Sequence, residues 1–332
     1  MLRIYILTGV LLFSTLLSAQ SPNLGTSGAQ FLKIPLGATE SGMAGAVVGL
    51  TGGASSLFWN PAGIAKTQGV DLNFTYMKWF DLFDMNAASV VYNVGDMGVL
   101  GFSAISFSTN QIEITNEESP NGTGQYYDAS DIAIGVSYAR YLTNAFNVGF
   151  TIKYVNQSIW HESASGVAVD IGTQYKLDFQ NLTIAMSMTN FGSSMQYSGA
   201  DLQVREAANA SYPKSRLAPA DLSTSSYALP LSFQVGLGFD IYKSEFLKII
   251  GGIDAVHPND NYERLQFGSQ ISAFDRFFLR GGYIYHHDTQ NFAFGAGANV
   301  PAGNTKIEFS YSYSHYKILP AVHRISCGIN IF

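Results

Sequence analysis

The sequence predicts an all-β chain in which about fourteen antiparallel strands close into a membrane-spanning barrel, with a small helical segment held in its lumen. Three observations predict this. Beyond Gly69 apolar and polar residues alternate with period two, which places them on opposite faces of a strand. Charged residues make up 13% of the 332 and aromatic residues 14%, so the polar face is modest and the apolar face is rich in rings, the pattern of a wall with lipid outside. The joints between strand candidates alternate between tight and mostly longer, as short periplasmic turns and longer extracellular loops do. Past the N-terminus no apolar run is long enough for a transmembrane helix.

Residues 1–19 read as a secretory signal. Arg3 supplies the positive start, Ile4 to Leu17 the apolar stretch, and Ala19 the cleavage point, although Leu17 departs from the small-residue preference. No cysteine follows the cut, so a lipid anchor is not indicated. The lone Cys327 rules out a disulfide within one chain.

Residues 20–68 are expected to form a hatch, and 69–332 the barrel. The hatch is organised around Ala54–Ala65. Asn60 precedes a proline and is pushed out of helical conformation, so it ends one short helix. Pro61 opens the next, where its missing N–H costs nothing. Two short apolar helices with a fixed kink cannot form a domain alone and need a container.

The wall strands are expected to start near Gly69, Asn86, Gly98, Ser130, Ala145, Gly166, Asn181, Pro230, Phe246, Arg264, Arg276, Asn291, Thr305 and Ala321. The alternation is plain in Phe146–Tyr154, Leu231–Phe239 and Ile307–Tyr313, and it predicts that Leu231, Val235, Leu237, Phe309 and Tyr311 face lipid. Tight joints fall at Gly95-Asp96, Thr143-Asn144, Asp178–Gln180, Lys243–Glu245, Asp275 and Pro301–Asn304; Thr109–Tyr127 and Phe191–Leu229 are long. Both chain ends then lie on the tight-turn rim. Trp79, Tyr92, Tyr138, Tyr141, Trp160, Tyr175, Tyr283, Tyr285, Tyr311 and Tyr316 recur near strand ends, where interfacial girdles form. Phe332 ends the chain on the opposite parity from the apolar set His323 to Ile331. One strand breaks the pattern: Gly98–Phe107 is apolar on both parities.

Ser56-Leu57-Phe58-Trp59-Asn60-Pro61-Ala62-Gly63 resembles the NPA-bearing hatch of FadL-type outer-membrane transporters. Phe31–Ala38 and Gly42–Ala46 look more specifically like the PorV/PorQ family, a FadL-like group, some of whose members serve type IX protein secretion. The match covers roughly residues 28–66. The resemblance implies a bacterial outer-membrane location and a hatch or gate built from Phe58, Trp59, Asn60, Pro61, Ala62 and Gly63. It also implies a candidate lateral-opening strand at Gly98, Leu100, Gly101 and Phe102, because FadL-type barrels have an inward-kinked third strand; packing of that strand on the hatch explains the same pattern.

No catalytic set emerges, and no cofactor or metal site is expected. His286-His287-Asp288 are adjacent on an extended chain and point apart, as do Ser314-His315. Gly236-Leu-Gly238 and Gly295-Ala-Gly297 open no helix, so they are lumen-facing strand glycines beside a plug and not nucleotide fingerprints. Lumen-parity charges of both signs, among them Lys153, Asp170, Asp254, Arg264, Arg280, Glu308 and Arg324, are expected to pair across the lumen and onto the hatch; a charge-selective pore would favour one sign. Net charge of −6 argues against nucleic acid. Besides outer-membrane lipid, the resemblance implies one of two partner classes. A PorV-like barrel binds secreted cargo proteins or a secretion translocon through its long loops. A FadL-like barrel takes up a hydrophobic small-molecule ligand. The Phe31–Ala46 pattern favours the first.

Overall fold

The computed structural model describes residues 24–207 and 217–332; the signal segment expected at 1–19 lies outside the described residues. Fourteen strands form the wall. β1 (Val70–Trp79), β2 (Phe83–Asn93), β3 (Val99–Thr109), β4 (Ala129–Tyr141), β5 (Phe146–Ile159), β6 (Glu162–Lys176) and β7 (Thr183–Gly192) make one half. β8 (Ser232–Lys243), β9 (Leu247–Pro258), β10 (Arg264–Ala273), β11 (Phe277–Tyr285), β12 (Gln290–Ala302), β13 (Thr305–Tyr316) and β14 (Val322–Ile331) make the other. Each pairs antiparallel with its neighbours, and β1 pairs β14 from Val70↔Ile331 to Met77↔Arg324, which closes the ring. A closed ring leaves no unpaired edge, the condition for strands to cross lipid.

The two faces separate as the alternation requires. On β5, Asn147, Gly149, Thr151, Lys153 and Val155 are buried, while Phe150, Ile152 and Tyr154 are exposed on the outside. Leu237, Phe309 and Tyr311 are exposed, Val235 is half-buried, and Leu231 precedes β8 and is half-buried. Two girdle expectations need correction. Tyr316 is buried, donating to Gln290 Oε1 at 3.3 Å, and packs edge-on against Trp79 and Phe80. Trp79 is half-buried with it, so these rings fill the lumen side. The other eight expected girdle rings are exposed. Phe332 lies just past β14 and is exposed, outside the strand whose parity it breaks.

The rim opposite the chain ends is also less loop-rich than expected. Only 110–128 and 193–231 are long; 80–82, 160–161, 259–263, 286–289 and 317–321 are short. The backbone explains the difference. Phe80, Asp81, Trp160 and His286 adopt positive φ, closing tight turns without the Gly or Asn that usually announces them.

Inside the wall runs the hatch: 3-10 turns at Gln30–Lys33, Ala54–Phe58 and Pro61–Lys66, and one short α-helix, α1 (Ala38–Gly42). Ala54, Leu57, Ile64 and Ala65 pack on Val91, Val99 and Ala139 of β2–β4. This accounts for the two-faced β3: Val99 and Ile105 point inward onto hatch and core, while Leu100 and Phe102 point out.

Candidate functional site

The break at Asn60-Pro61 is the first point where hatch and wall lock. Asn60 is extended (φ −148, ψ 104) and caps the Pro61–Lys66 turn by accepting from Ala62 N at 3.1 Å. Its Nδ2 donates to Val48 O within the hatch and to Thr173 O on β6, both at 3.2 Å. The wall answers in kind. Asn147 Nδ2 donates to Ala62 O at 2.7 Å, Ser187 Oγ to Trp59 O at 2.7 Å, and Gln174 Nε2 to Val48 O at 3.1 Å. Asn60, Pro61, Ala62, Gly63 and Trp59 are all buried, and Phe58 is half-buried. The carbonyls freed at the break are therefore satisfied, as buried backbone must be.

Two glycines make this approach physical. Gly149 and Gly172 face each other across the β5–β6 ladder. A Cβ on Gly149 would lie under 3.0 Å from the Pro61–Ala62 backbone, and one on Gly172 under 3.0 Å from Asn60 and Pro61.

The second lock is a row of glycines, of which the sequence pointed only to Gly238. Gly238↔Gly252, Gly252↔Gly268 and Gly268↔Gly282 are register partners on β8 to β11. Their missing Cβ atoms leave a smooth strip on which Met43–Leu50 lies, main chain against main chain. Beside it Asp254, fully buried on β9, accepts from Val47 N at 2.8 Å and Val48 N at 2.9 Å through one oxygen. Gly236 and Gly295 also abut the hatch, at Val48 and Gly42; Gly297 instead faces Arg280 and Ser310.

A third tether lies at the rim opposite the chain ends. Asp260, in the 259–263 turn, accepts from Ser27 Oγ, from Gln30 Nε2 at 2.6 Å and from Lys33 Nζ at 2.5 Å. Burial alone would raise its pKa, but these three donors win and hold it below the ordinary value of 3.8.

Most lumen charges are matched. Lys153 pairs Asp170 at 2.8 Å, Arg280 pairs Glu308 at 3.0 Å, and Arg324 donates to Pro35 O and Ser314 Oγ. Lys176, Arg276 and Lys306 are exposed. The hatch leaves a cavity on each side. The one toward the chain-end rim measures about 410 Å³ and is charged, lined by Glu40, Asp71, Arg280, Lys306 and Glu308. The one toward the long-loop rim measures about 700 Å³ and is aromatic.

Elsewhere, β3 pairs along its length with β2 and β4, without a register shift, and Gly101 lies against Leu57 of the hatch. Gly98 precedes the strand with positive φ, and Leu100 and Phe102 face outward. His286 Nδ1 lies 2.8 Å from Glu263 O, and His287 Nδ1 holds its own turn by accepting from Thr289 N and Gln290 N. Among the described residues, no group of three His, Cys, Asp or Glu side chains is placed to hold a metal ion.

A family model described as "Type IX secretion system protein PorV" matches residues 17–257. No curated protein sequence matches the chain. Solved structures share the fold at low identity. The CymD monoaromatic hydrocarbon channel aligns with TM-score 0.57 at 12% identity, covering 90% of this chain and 98% of that one. A Pseudomonas aeruginosa FadL homologue gives 0.55 at 10%, and the Ralstonia pickettii toluene transporter TbuX gives 0.53 at 14%, each with the same coverage.

Proposed function

The chain belongs to the PorV family of bacterial outer-membrane barrels, and from that premise we propose that it is a binding and assembly component of protein secretion, of the type IX kind, at the cell surface. The observation that carries the reading is the family match itself, which runs from residue 17 to residue 257 and so covers the hatch and most of the wall through β9. The architecture supports it. The hatch, residues 20–68 in this reading, is seated on glycines and buried amides, so the barrel of 69–332 serves as a rigid scaffold. Two long loops, 110–128 and 193–231, stand on the rim away from the chain ends, the extracellular rim in such barrels, where binding residues concentrate. The second loop carries a hairpin of Gln203–Ala207 with Leu217–Asp221. In this role Phe58 to Gly63 hold the hatch in one closed pose.

Uptake of a hydrophobic small molecule is a second reading, favoured by the aromatic cavity above the hatch. Lateral release at Gly98–Phe102 would require β3 to leave a ladder that is fully paired on both sides.

Deleting the gene and complementing it with wild type, or with a chain whose 203–221 hairpin is replaced by a Gly-Ser linker, separates the two readings. The secretion role expects secreted surface proteins to be lost on deletion and not restored by the hairpin variant, at equal barrel levels judged by heat-modifiable mobility. Normal secretion in the deletion strain would overturn it.

A further inference from the structure

Three arginines point into the lumen from β10, β11 and β14, and two are held by side-chain or backbone acceptors, although Arg324 keeps one buried nitrogen, Nη2, without a hydrogen bond. Arg280 holds Glu308, Gln270 and Ser310. Arg324 holds Pro35 O and Ser314 and lies 5.9 Å from the Trp79 ring centroid. The third, Arg264, borders the 700 Å³ cavity. Among the described residues it has no hydrogen-bond acceptor, no carboxylate within ion-pair distance and no ring beneath it, and its Nε is buried without a partner. Asp260, four residues before it, is already occupied by Ser27, Gln30 and Lys33. His287 lines the same cavity, and burial together with the nearby Arg264 charge pushes its pKa down to about 4, so it stays neutral and competes for no anion. A guanidinium left without an acceptor at a shielded site is costly.

Of the thirteen buried polar atoms without a hydrogen bond among the described residues, four share this cavity wall. Gln234, Val256 and Arg264 are neighbours across β8, β9 and β10, and Gln266 follows on the same face. Ser232 Oγ, Gln234 Oε1 and Gln266 Oε1 are likewise buried without a hydrogen bond. One wall of the cavity thus carries a cation, Arg264, and one open hydroxyl donor, Ser232, with the two amide oxygens as acceptors beside them. Facing surfaces are supplied by rings, among them Phe58, Trp59, Trp79, Phe80 and Phe107. The cavity's acid, Asp131 on β4, accepts from Gln157 at 3.0 Å; it stands six strands from β10 around a ring of fourteen, close to the opposite side. The two charges would orient a bound anion with its carboxylate on Arg264.

We propose that this cavity binds an aromatic carboxylate, with Arg264 holding the anion as a fork and the rings holding the planar body. Planar bidentate recognition is what a guanidinium does best, and offset or edge-on packing rewards a flat ring over a flexible chain. The proposal does not rest on the secretion role.

The test is isothermal titration of the full chain in detergent micelles with 2-naphthoate, its neutral counterpart 2-naphthamide, and decanoate. Saturable binding of naphthoate is expected, weakened roughly tenfold or more for the amide and by Arg264→Gln, as when a charge-assisted hydrogen bond is lost, with Arg264→Lys in between. Decanoate should bind more weakly than naphthoate. Equal affinity for amide and carboxylate, equal or tighter binding of decanoate, no saturable naphthoate binding, or an unaffected Arg264→Gln protein would each overturn the proposal. Should Arg264→Gln fail to fold, the three probes on the wild-type protein still decide.

Discussion

Two of the places where the hatch is held to the wall work differently. On β5–β6 it is held through side chains: Asn60, Asn147 and Gln174 donate amide hydrogens across the junction, and Ser187 on β7 adds a hydroxyl. On β8–β11 it is held mostly by the absence of side chains. Four register-paired glycines let Met43–Leu50 lie flat, and Asp254 is the main polar anchor. The difference teaches how one short segment is fixed in position and rotation at once. Directional hydrogen bonds set the pose at one end, and close main-chain approach sets the depth at the other.

The largest effects should come from adding bulk where each lock needs none. Gly149→Val drives a side chain into the Pro61–Ala62 backbone, and Gly252→Val into the Ala46 carbonyl. Neither backbone can step aside, so each should cost at least the ~1–3 kcal/mol of overpacking a core. Gly281→Ala, whose Cβ would meet only Phe294 at 4.0 Å, is the neutral control. Folding yield and heat-modifiable mobility report the loss. Gly252→Val behaving like Gly281→Ala would break the claim that the glycine row is a seat.

Next comes Asp254→Ala, which strands the Val48 N–H in a dry interior, at about 1–3 kcal/mol for a buried donor left unpaired, and leaves the Val47 N–H only Gly45 O at 2.9 Å. Asp254→Asn keeps one acceptor and should recover part of it. Chemical denaturation in detergent reads both. If the glycine row alone were enough, the alanine variant would match wild type.

Asn60→Ala should cost less, about 0.5–2 kcal/mol as the loss of a helix cap, because Asn147, Gln174 and Ser187 still reach the hatch from the wall. Its sharper form is the double change Asn60→Ala with Pro61→Ala, which removes the bar to one continuous helix. The barrel is expected to survive while conductance and antibiotic sensitivity rise. Both staying at wild-type values, at normal protein levels, would reduce Asn60-Pro61 to packing.

The two locks were unequally legible in the sequence. Asn60-Pro61 announces itself, since a proline restricts its neighbour whatever the surroundings. The strand starts were legible too, because period-two alternation marks the wall strands other than β3, whose start Gly98 still announces; the largest offsets were Asn86 against Phe83 and Gly166 against Glu162. The glycine row was legible only at Gly238, one of the strand glycines expected beside the plug. Gly238, Gly252, Gly268 and Gly282 sit on four strands and become one strip only through register, which a single sequence does not display. Arg264 hid for a related reason. On lumen parity it looks like Arg280 and Arg324, and only the positions of acceptors distinguish it.

The smallest expected effect concerns the Asp260 tether, which belongs to neither lock and joins the start of the hatch to the far rim. Its three donors hold the Asp260 pKa below 3.8. A carboxylate with a depressed folded pKa contributes stability that is fully present above its unfolded value and lost as pH falls through the folded one. The tether should therefore be intact at neutral pH and release only below the ordinary carboxylate range, with Asn60 and the glycine row still in place. Hydrogen exchange of residues 27–33, followed on acidification, reads this directly: protection should fall there before it falls at 43–50 or 60–63. Asp260→Asn should show the released pattern already at neutral pH, with no further acid step. Simultaneous loss of protection at all three segments would mean that the hatch has one cooperative seat, and the distinction between its two locks would no longer hold.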